Sequence, residues 1–316
     1  IGFSTGDSNK EKQLYSGELV QKAININPYL MNAPNVFINS RKEPLCDVPE
    51  MTTGNRPADG GALIIEEADY NSFIQKEPRA IHFIRRLYGA EEFLNNKLRW
   101  CLWLVGVSPA TLKSMPLVMK RVEACREARL SGAPDRQKLA NTPTLFRETL
   151  NPETAIVVPV VSSENRRYVP MDYIDNNVIC TDRVKLIPNA ELYHFGILES
   201  NVNMAWMRAV CGRLKSDYNY SKDIVYNNFP WPNPTDAQKA KIEKTAQAIL
   251  DARAQYPDSS LADLYDELTM PPELRKAHQA NDRAVMEAYG FWGKLNSESA
   301  CVAELMKMYQ QLVEKQ

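Results

Sequence analysis

The chain has 316 residues, with a hydrophobic content of 44%, a charged content of 24% and a formal net charge of −1. These values are ordinary for globular proteins and exclude wholesale disorder, and the length allows two domains that each bury a core. The near-zero net charge argues against a uniformly basic nucleic-acid-binding protein.

The cysteines and the apolar runs indicate the cellular setting. Six cysteines lie singly along the chain, without a Cys-x-x-Cys pair, and the three histidines are distant from them in sequence. A zinc site or a disulfide framework is therefore not expected, and reduced, buried cysteines are typical of the cytoplasm. No apolar run reaches the roughly 20 residues that a membrane span needs, so we expect no membrane partner.

Charge is unevenly distributed along the chain. Residues 97–148 carry 10 Lys and Arg against 4 Asp and Glu, whereas residues 236–316 carry 10 against 13. The near-neutral total therefore hides a basic middle followed by an acidic end.

The first third of the chain combines short apolar runs with turn-rich segments. Residues 1–4 resemble the end of a strand, residues 5–13 predict a polar loop, and the glycines and prolines of 46–61 exclude a long regular element. The other predictions here are strands at 36–38, 63–65 and 100–105 and helices at 67–75 and 80–87.

Residues 116–130 are the first strongly periodic segment and predict a helix. Val118, Val122 and Cys125 fall on one face, and charged residues fall on the others. The charged surface predicts either an ordinary solvated face or a face that meets phosphates. The phosphate-binding candidates on this helix are Lys120, Arg121 and Arg126.

Short apolar segments joined by polar turns follow, and their spacing predicts a small, mostly antiparallel unit. The predicted strands are 155–161, 167–170, 178–180, 184–187 and 192–198. Residues 201–214 then predict a helix whose apolar stripe includes Met204, Met207 and Val210.

After Pro234 the pattern becomes helical. Thr235 and Gln238 form a capping box ahead of the apolar positions Ile242, Ala246 and Ile249. Further helices are predicted at 260–268, 273–289 and 300–313. The predicted fold class is therefore α+β: a mixed, mostly antiparallel small-sheet unit followed by an all-α helical subdomain.

Residues 212–232 interleave cations with tyrosines. Lysine and arginine neutralise phosphates, while aromatic rings stack on bases or pack on sugars, so the segment predicts contact with a nucleic-acid backbone. The alternative is an ordinary helix-to-strand segment with half-buried tyrosines. The phosphate-binding candidates here are Arg213, Lys215, Tyr218, Tyr220 and Lys222.

The sequence lacks the motifs of a self-sufficient enzyme. There is no P-loop, GxGxxG, GxSxG or HExxH. Asn27-Pro28-Tyr29 is half of the Asn-Pro-Pro-Tyr motif of adenine methyltransferases, but the second proline and a preceding glycine-rich strand are missing, so a turn is predicted. We expect no catalysis by this chain alone.

Several segments in one order resemble the MmeI-like bifunctional restriction–modification enzymes, also called class IIS or IIG methyltransferase-endonucleases. The segments are PVVSSENRRYVP (159–170), IPNAELYHFGIL (187–198), MAWMRAVCGRLKSDYNYSKDIVYNNFPWP (204–232) and DSSLADLYDELTMPPELRKAH (258–278). The segments INPYL, PLCDVPEM, GAEEF and RWCLWL are similar too, so the resemblance covers nearly the whole chain.

The resemblance implies a domain plan and a cofactor for the parent protein. Residues 1–20 would end a methyltransferase domain and its linker, residues 21–233 would form the target recognition domain, and residues 234–316 the C-terminal helical domain. The parent would use S-adenosylmethionine for adenine-N6 methylation, with its catalytic and cofactor motifs upstream of Ile1. The resemblance assigns no cofactor, metal or catalytic residue to this chain, and implies double-stranded DNA and the methyltransferase domain as its partners.

Two polar segments have the chemistry to read base edges. Arginine can bind guanine, glutamate can accept from the cytosine amino group, and asparagine suits adenine. For the first segment the alternative is a hairpin turn in which Glu164 pairs with Arg166 or Arg167 in solvent. The base-reading candidates are Ser162, Ser163, Glu164, Asn165, Arg166 and Arg167 in the first segment and Thr181, Asp182, Arg183 and Lys185 in the second.

Three functional hypotheses follow from the sequence. The leading hypothesis is sequence-specific recognition of double-stranded DNA, which positions a duplex for an upstream methyltransferase. The second is a protein-interaction scaffold whose DNA-like residues are only surface. The third is an enzyme, either a complete methyltransferase or a nuclease.

Overall fold

The structure, a computed structural model, describes residues 12–16 and 19–315. The predicted strand at 1–4 and most of the predicted loop at 5–13 lie outside the described residues. The strands are β1 Lys12–Ser16, β2 Leu19–Ala23, β3 Thr52–Thr53, β4 Ile64–Glu66, β5 Ile84–Tyr88, β6 Arg99–Leu102, β7 Thr154–Pro159, β8 Val161–Ser162, β9 Asp172–Asp175, β10 Val178–Cys180, β11 Val184–Pro188, β12 Gly212–Leu214 and β13 Asp217–Asn219.

Helices fill the spaces between the strands and the whole C-terminal quarter. They are α1 Glu67–Lys76, α2 Ala90–Asn95, α3 Pro109–Lys113, α4 Pro116–Leu130, α5 Pro134–Gln137, α6 Leu192–Leu198, α7 Asn201–Val210, α8 Asp236–Ala254, α9 Leu261–Leu264, α10 Pro272–Ala288 and α11 Glu298–Val313. Short 3₁₀ turns occur at Pro78–Phe83 and Lys138–Asn141, and a π-helical turn at Lys222–Tyr226. No described helix is long and apolar enough to cross a membrane.

The strands form small sheets, most of whose pairs are antiparallel. One sheet has the order β10-β5-β6-β4, a second β3-β11-β7-β9 and a third β12-β13-β8, while β1 and β2 form a separate hairpin. In the described pairs only β10 and β5 run parallel, with Val178 opposite Arg86. These sheets and the helices after residue 234 confirm the predicted α+β class.

Two hydrophobic cores hold the structure together. The smaller core lies where α1 and α4 cover the first sheet, and it includes Phe73, Leu87, Val118 and Val122. The larger core joins the second and third sheets to α6, α7 and the C-terminal helices. Strand β10 belongs to the first sheet and β11 to the second, so the chain passes from one sheet to the other between residues 180 and 184.

The C-terminal helices follow their sequence signals closely. The Thr235 hydroxyl accepts from the Gln238 amide, and the Gln238 side chain accepts from the Thr235 amide, which completes the predicted capping box of α8. Helices α6 and α8 pack so closely that a Cβ at Gly196 would lie 2.6 Å from Cγ2 of Ile242. Residues 234–315 contain helices α8 to α11 and no strand, as predicted.

A buried polar cluster joins the helices to the β-rich part. The Arg253 guanidinium donates to the Glu199 carboxylate at 2.8 Å and to the Met171 carbonyl at 2.6 Å. It also donates through Nε to the Tyr265 hydroxyl at 2.9 Å, and that hydroxyl lies 2.8 Å from Nε2 of His278. Because these partners come from both parts, they fix the helical part against the sheets.

Several predicted elements are wrong. The predicted strand at 192–198 is helix α6, and the predicted helix at 80–87 is a 3₁₀ turn followed by strand β5. The predicted helix at 201–214 ends at Val210 and gives way to strand β12. The segments at 36–38 and 167–170 contain no strand. The predicted strand at 100–105 is present as β6, but it begins at Arg99 and already ends at Leu102.

Candidate nucleic-acid interface

Val160 joins the three segments that carry most of the candidate DNA-binding residues. Its amide donates to the Arg183 carbonyl at 3.3 Å, and its carbonyl accepts from the Tyr220 amide at 2.8 Å. On one side of it lies the β10–β11 turn (residues 181–183), and on the other the β12–β13 hairpin (residues 212–219). The β8 loop (residues 163–167) follows β8, which pairs with β13. The structure thus brings together segments that are distant in sequence.

The main chain of the β10–β11 turn is fixed from behind by Asn55, which is fully buried. The Asn55 amide donates to the Cys180 carbonyl at 2.7 Å, and the Asn55 carbonyl accepts from the Asp182 amide at 3.0 Å. Its side chain donates to the Leu150 carbonyl at 2.8 Å and accepts from the Leu150 amide at 2.7 Å. Asn55 therefore anchors this turn to the loop that precedes β7, through its main chain on one side and its side chain on the other.

Gly54 allows this close approach. A Cβ at Gly54 would lie 2.2 Å from the Thr181 carbonyl oxygen, which is far inside contact distance. Asn55 and Gly54 lie in segment 46–61, for which the glycines and prolines predict no long regular element, so the sequence does not mark either residue as functional. The Gly-Asn pair signals a turn, but nothing local indicates that its partner is residue 181.

Within the β10–β11 turn the side chains divide into buried and accessible ones. Thr181 is only 5% exposed, and its hydroxyl accepts from the Arg183 amide at 3.4 Å. This corrects the base-reading prediction for Thr181, because the side chain stabilises the turn and is not available to a base. Arg183 is exposed and Asp182 is half-buried, so these two side chains are the accessible candidates.

The β8 loop lies against the tip of the β12–β13 hairpin. Ser162 pairs with Tyr218, and the Glu164 amide donates to the Asp217 carboxylate at 3.3 Å. Glu164 and Asn165 are exposed and Ser163 is half-buried, which keeps them as candidates. Ser162 is 2% exposed, so the prediction that it reads a base is corrected: its side chain points into the protein.

Arg166 and Arg167 border a groove of about 750 Å³ between the β8 loop and the helical part. Burial lowers the pKa of the half-buried Arg166 guanidinium, while the nearby Asp266 and Asp217 carboxylates oppose that shift. The Arg167 guanidinium lies 5.7 Å from the centre of the Tyr168 ring and is exposed. Both arginines therefore lie on the side of the loop that faces the C-terminal helices.

The β12–β13 hairpin presents exposed cations at its tip, whereas the tyrosine side chains in and directly after β13 are buried. Arg213 and Lys215 are exposed, and Lys215 adopts a left-handed backbone conformation with φ 58° at the turn. Tyr218 is 7% exposed, and its ring supports the Arg213 guanidinium. Tyr220 is fully buried, with its hydroxyl donating to Asn203 at 3.2 Å. The prediction that Tyr220 meets phosphate is therefore wrong. The Tyr218 ring stacks against the Arg213 guanidinium.

Lys185 and Lys222 are brought together although they are distant in sequence. The Lys185 ammonium donates to the Thr53 hydroxyl at 2.8 Å. Burial lowers its pKa, Asp223 opposes this, and the positive charges of Lys222 and Arg56 lower it further. These three cations share one region of the surface, which suits a phosphate better than a base edge.

The predicted cations of α4 lie away from the segments that meet at Val160. The Arg121 guanidinium donates to the Ala62 and Ile64 carbonyls at 2.9 and 3.0 Å and packs over the Phe73 ring at 5.1 Å. Lys120 and Arg121 line a groove with α1, and no described residue of that groove belongs to the β8 loop, the β10–β11 turn or the β12–β13 hairpin. Lys120 and Arg126 are exposed. The Nη1 donors of Arg121, by contrast, are used in hydrogen bonds to main-chain carbonyls of this protein.

Arg129, on the same helix, is fully buried. Its Nε donates to the Ala58 carbonyl, its Nη1 to those of Leu139 and Thr142, and its Nη2 to those of Pro57 and Leu145. The five donors of the guanidinium are thus satisfied by main-chain carbonyls alone. In the described residues no group of three or more His, Cys, Asp and Glu side chains is arranged to hold a metal ion.

Comparison with family models divides the chain into two matched regions. Residues 32–233 match the model described as the MmeI target recognition domain, and residues 234–315 match the MmeI C-terminal domain.

Two relatives extend this result. The chain is 38% identical over 317 aligned residues to DNA methyltransferase A of Bacillus subtilis, with 100% of this chain and 36% of that protein covered. It is 42% identical to the type IIL restriction-modification enzyme MmeI solved in complex with DNA, with a TM-score of 0.91 and coverage of 98% of this chain and 42% of that chain. The chain therefore spans less than half the length of each of these two relatives.

Proposed function

Because the chain belongs to the MmeI family, of which it carries the target recognition and C-terminal domains, we propose that it recognises a specific sequence in double-stranded DNA on behalf of a longer polypeptide. The solved relative is an MmeI enzyme in complex with DNA, which supports this proposal over the scaffold hypothesis. We place the recognition domain at residues 21–233 and the helical domain at residues 234–316, with residues 1–20 ending the preceding domain.

The longer polypeptide would supply the chemistry. The Bacillus subtilis relative is a DNA methyltransferase, so we propose an upstream adenine methyltransferase domain that uses S-adenosylmethionine and, in the same polypeptide, an endonuclease. A methyltransferase acting on duplex DNA must rotate its target base out of the helix, and a separate module is then needed to grip and read the duplex. Such a protein would work in the cytoplasm, where the cell's DNA is.

The observation that carries the proposal is the junction at Val160. Main-chain hydrogen bonds hold the β10–β11 turn and the β12–β13 hairpin on either side of this residue. Base reading needs several side chains from different segments on one rigid surface, because a duplex presents neighbouring base pairs in a fixed geometry. The junction provides that rigidity.

We assign base reading to the accessible residues of the β8 loop and the β10–β11 turn and phosphate contact to the cations that surround them. The proposed base-reading residues are Ser163, Glu164, Asn165, Arg166, Arg167, Asp182 and Arg183. The proposed phosphate-binding residues are Arg213, Lys215, Lys222 and Lys185, with Lys120 and Arg126 as more remote contacts.

The test is selection of duplexes from a random library by the full polypeptide, followed by the same selection with Glu164→Gln and Arg183→Ala. We expect each variant to change the preferred base at one or two positions, at a discrimination cost of about 1–3 kcal/mol per position. Lys244→Ala, at an exposed position of α8, is the matched control and should leave the preference unchanged. Absence of any sequence preference in the wild-type polypeptide would refute the proposal. Unchanged DNA affinity in both Arg166→Ala and Lys215→Ala would instead favour the scaffold hypothesis.

A further inference from the structure

We propose that helix α10 positions the β8 loop through Tyr168, which makes Asp282 and His278 positioning residues for DNA sequence discrimination. The inference rests on the proposed function, and it gives the C-terminal helices a defined part in it. The β8 loop contains no helix or strand of its own, so its position depends on what holds its two ends.

The first end of the loop is held by the recognition domain itself. Ser162 is paired with Tyr218 of β13, and the Glu164 amide donates to Asp217. Within the loop, the Arg166 amide donates to the Ser163 carbonyl at 3.2 Å. These contacts fix residues 162–166 relative to the hairpin.

The second end is held by the helical part. Tyr168 follows the loop directly and is 2% exposed. Its hydroxyl donates to Oδ2 of Asp282 at 2.7 Å, and its ring stacks on the His278 ring with centroids 4.1 Å apart. Both partners lie on α10, one turn apart, so this helix holds the tyrosine by its tip and by its face.

The two partners on α10 are themselves fixed. The second oxygen of Asp282 accepts from the Asn201 amide, at the start of α7, at 2.7 Å. Nδ1 of His278 lies 3.3 Å from the Glu199 carbonyl and Nε2 lies 2.8 Å from the Tyr265 hydroxyl. A buried carboxylate that accepts two hydrogen bonds has little freedom to move, so Tyr168 meets a rigid support.

A further contact reaches the loop from the same side. The Arg208 guanidinium donates to the Arg167 carbonyl at 3.4 Å and pairs with Glu298 of α11 at 2.9 Å. Sequence discrimination requires base-reading groups to be held to within a fraction of an ångström by the residues behind them. We therefore infer that loosening Tyr168 reduces discrimination between DNA sequences more than it reduces total DNA affinity.

The test compares Tyr168→Phe with Tyr226→Phe in the full polypeptide. Tyr226 is also fully buried, and its hydroxyl donates to the Pro49 carbonyl at 2.6 Å, far in sequence from α10. Each variant loses one hydroxyl from a buried ring, so the two are chemically matched. We measure hydrogen exchange of the amides of residues 163–167, and the ratio of affinities for the selected duplex and for a random duplex.

Faster exchange in the loop and a roughly tenfold lower affinity ratio, in Tyr168→Phe but not in Tyr226→Phe, would support the inference. Equal behaviour of the two variants would overturn it. If the wild-type polypeptide shows no sequence preference, the proposed function fails, while the exchange rates still decide whether α10 positions the loop.

A second pair of variants covers the case in which Tyr168→Phe fails to fold. Asp282→Asn can accept from Asn201 and donate to the Tyr168 hydroxyl, so it should retain the slow exchange and the affinity ratio. Asp282→Leu has a similar size but no hydrogen bond, and it should lose both. Loop exchange as slow in Asp282→Leu as in the wild type would overturn the inference.

Discussion

The guanidinium carbon of Arg213 lies 4.1 Å from the centre of the Tyr218 ring. The same guanidinium donates through Nη1 to the Ser216 carbonyl at 2.8 Å. The stacking and the hydrogen bond hold the positive charge at the tip of the β12–β13 hairpin, with other N–H donors left to face a ligand. Such a pre-ordered arginine loses less conformational entropy on binding phosphate than a free lysine would.

We expect Arg213→Ala to weaken DNA binding without changing the preferred sequence. Loss of one phosphate contact should reduce the slope of log affinity against log salt by about 0.9. Arg213→Lys keeps the charge, so its salt slope should remain close to that of the wild type. Its DNA affinity should still fall, because lysine lacks the planar group that stacks on the Tyr218 ring. The measurement is DNA affinity of the full polypeptide at several salt concentrations. An unchanged slope in Arg213→Ala would show that this arginine meets no phosphate.

Gly54→Ala should disturb the β10–β11 turn. The added methyl group would lie 2.2 Å from the Thr181 carbonyl oxygen, so the main chain must move, at a cost of about 1–3 kcal/mol in unfolding free energy. Displacement of the turn should also lower DNA sequence discrimination. The measurements are urea unfolding and duplex selection. Gly212→Ala is the control, because a methyl group at that position would meet open space, and its stability should stay close to that of the wild type.

Arg121 and Arg126 should behave differently although both are cations of α4. Arg121→Ala removes two hydrogen bonds to main-chain carbonyls and the contact with Phe73, so we expect a loss of about 1–2 kcal/mol in unfolding free energy. Arg126 is exposed, and Arg126→Ala should change stability by less than about 0.5 kcal/mol. The measurement is the unfolding free energy of both variants in urea, compared at equal m-values. Equal stabilities would mean that the Arg121 contacts contribute nothing measurable.

Asp282 should give the protein a distinctive pH dependence. Burial raises the pKa of its carboxyl to about 6, while Tyr168, the Asn201 amide, Arg167 and Arg208 oppose the shift. Because the folded-state pKa lies above the unfolded value, the folded state binds more protons between about pH 4 and pH 6. Its stability relative to Asp282→Asn should therefore fall as pH rises through that window, by on the order of 3 kcal/mol in total.

The measurement for Asp282 is the difference in unfolding free energy between the wild type and Asp282→Asn across that window and up to neutral pH. Groups that titrate alike in both proteins cancel in this difference. A flat or rising difference would show that the surrounding hydrogen bonds and arginines outweigh burial.

The sequence predicts the elements whose signals are local. Helix α4 begins at Pro116 and ends at Leu130 as predicted, and the capping box at Thr235 marks the start of α8. Both helices carry their start signals and their apolar faces within one short segment. The segment at 192–198 has no such pattern: it is apolar on most sides, and it is helical because α6 packs against α8 around Gly196.

Elements with distant partners are the ones that the sequence predicts wrongly. Strand β5 pairs with β10, which lies some 90 residues further along the chain, and β13 pairs with β8. The β10 partner overrides the local helical pattern at 80–87. The end of the predicted helix at 201–214 instead becomes β12 through its hairpin with β13, which β8 extends into a sheet. For the candidate site, the sequence indicates which side chains have the right chemistry, but burial separates Tyr220 from Arg213 and Thr181 from Arg183, and burial depends on the same distant contacts.

The support of the β10–β11 turn has an evolutionary consequence. Asn55, Tyr88 and Val160 hold it through its main-chain amides and carbonyls, and none of these bonds uses the side chain of Asp182 or Arg183. New residues can therefore appear at these two positions while the backbone that presents them stays in place. Under the base-reading role proposed for Asp182 and Arg183, a few substitutions at these positions would change the recognised sequence without damage to the backbone that presents them.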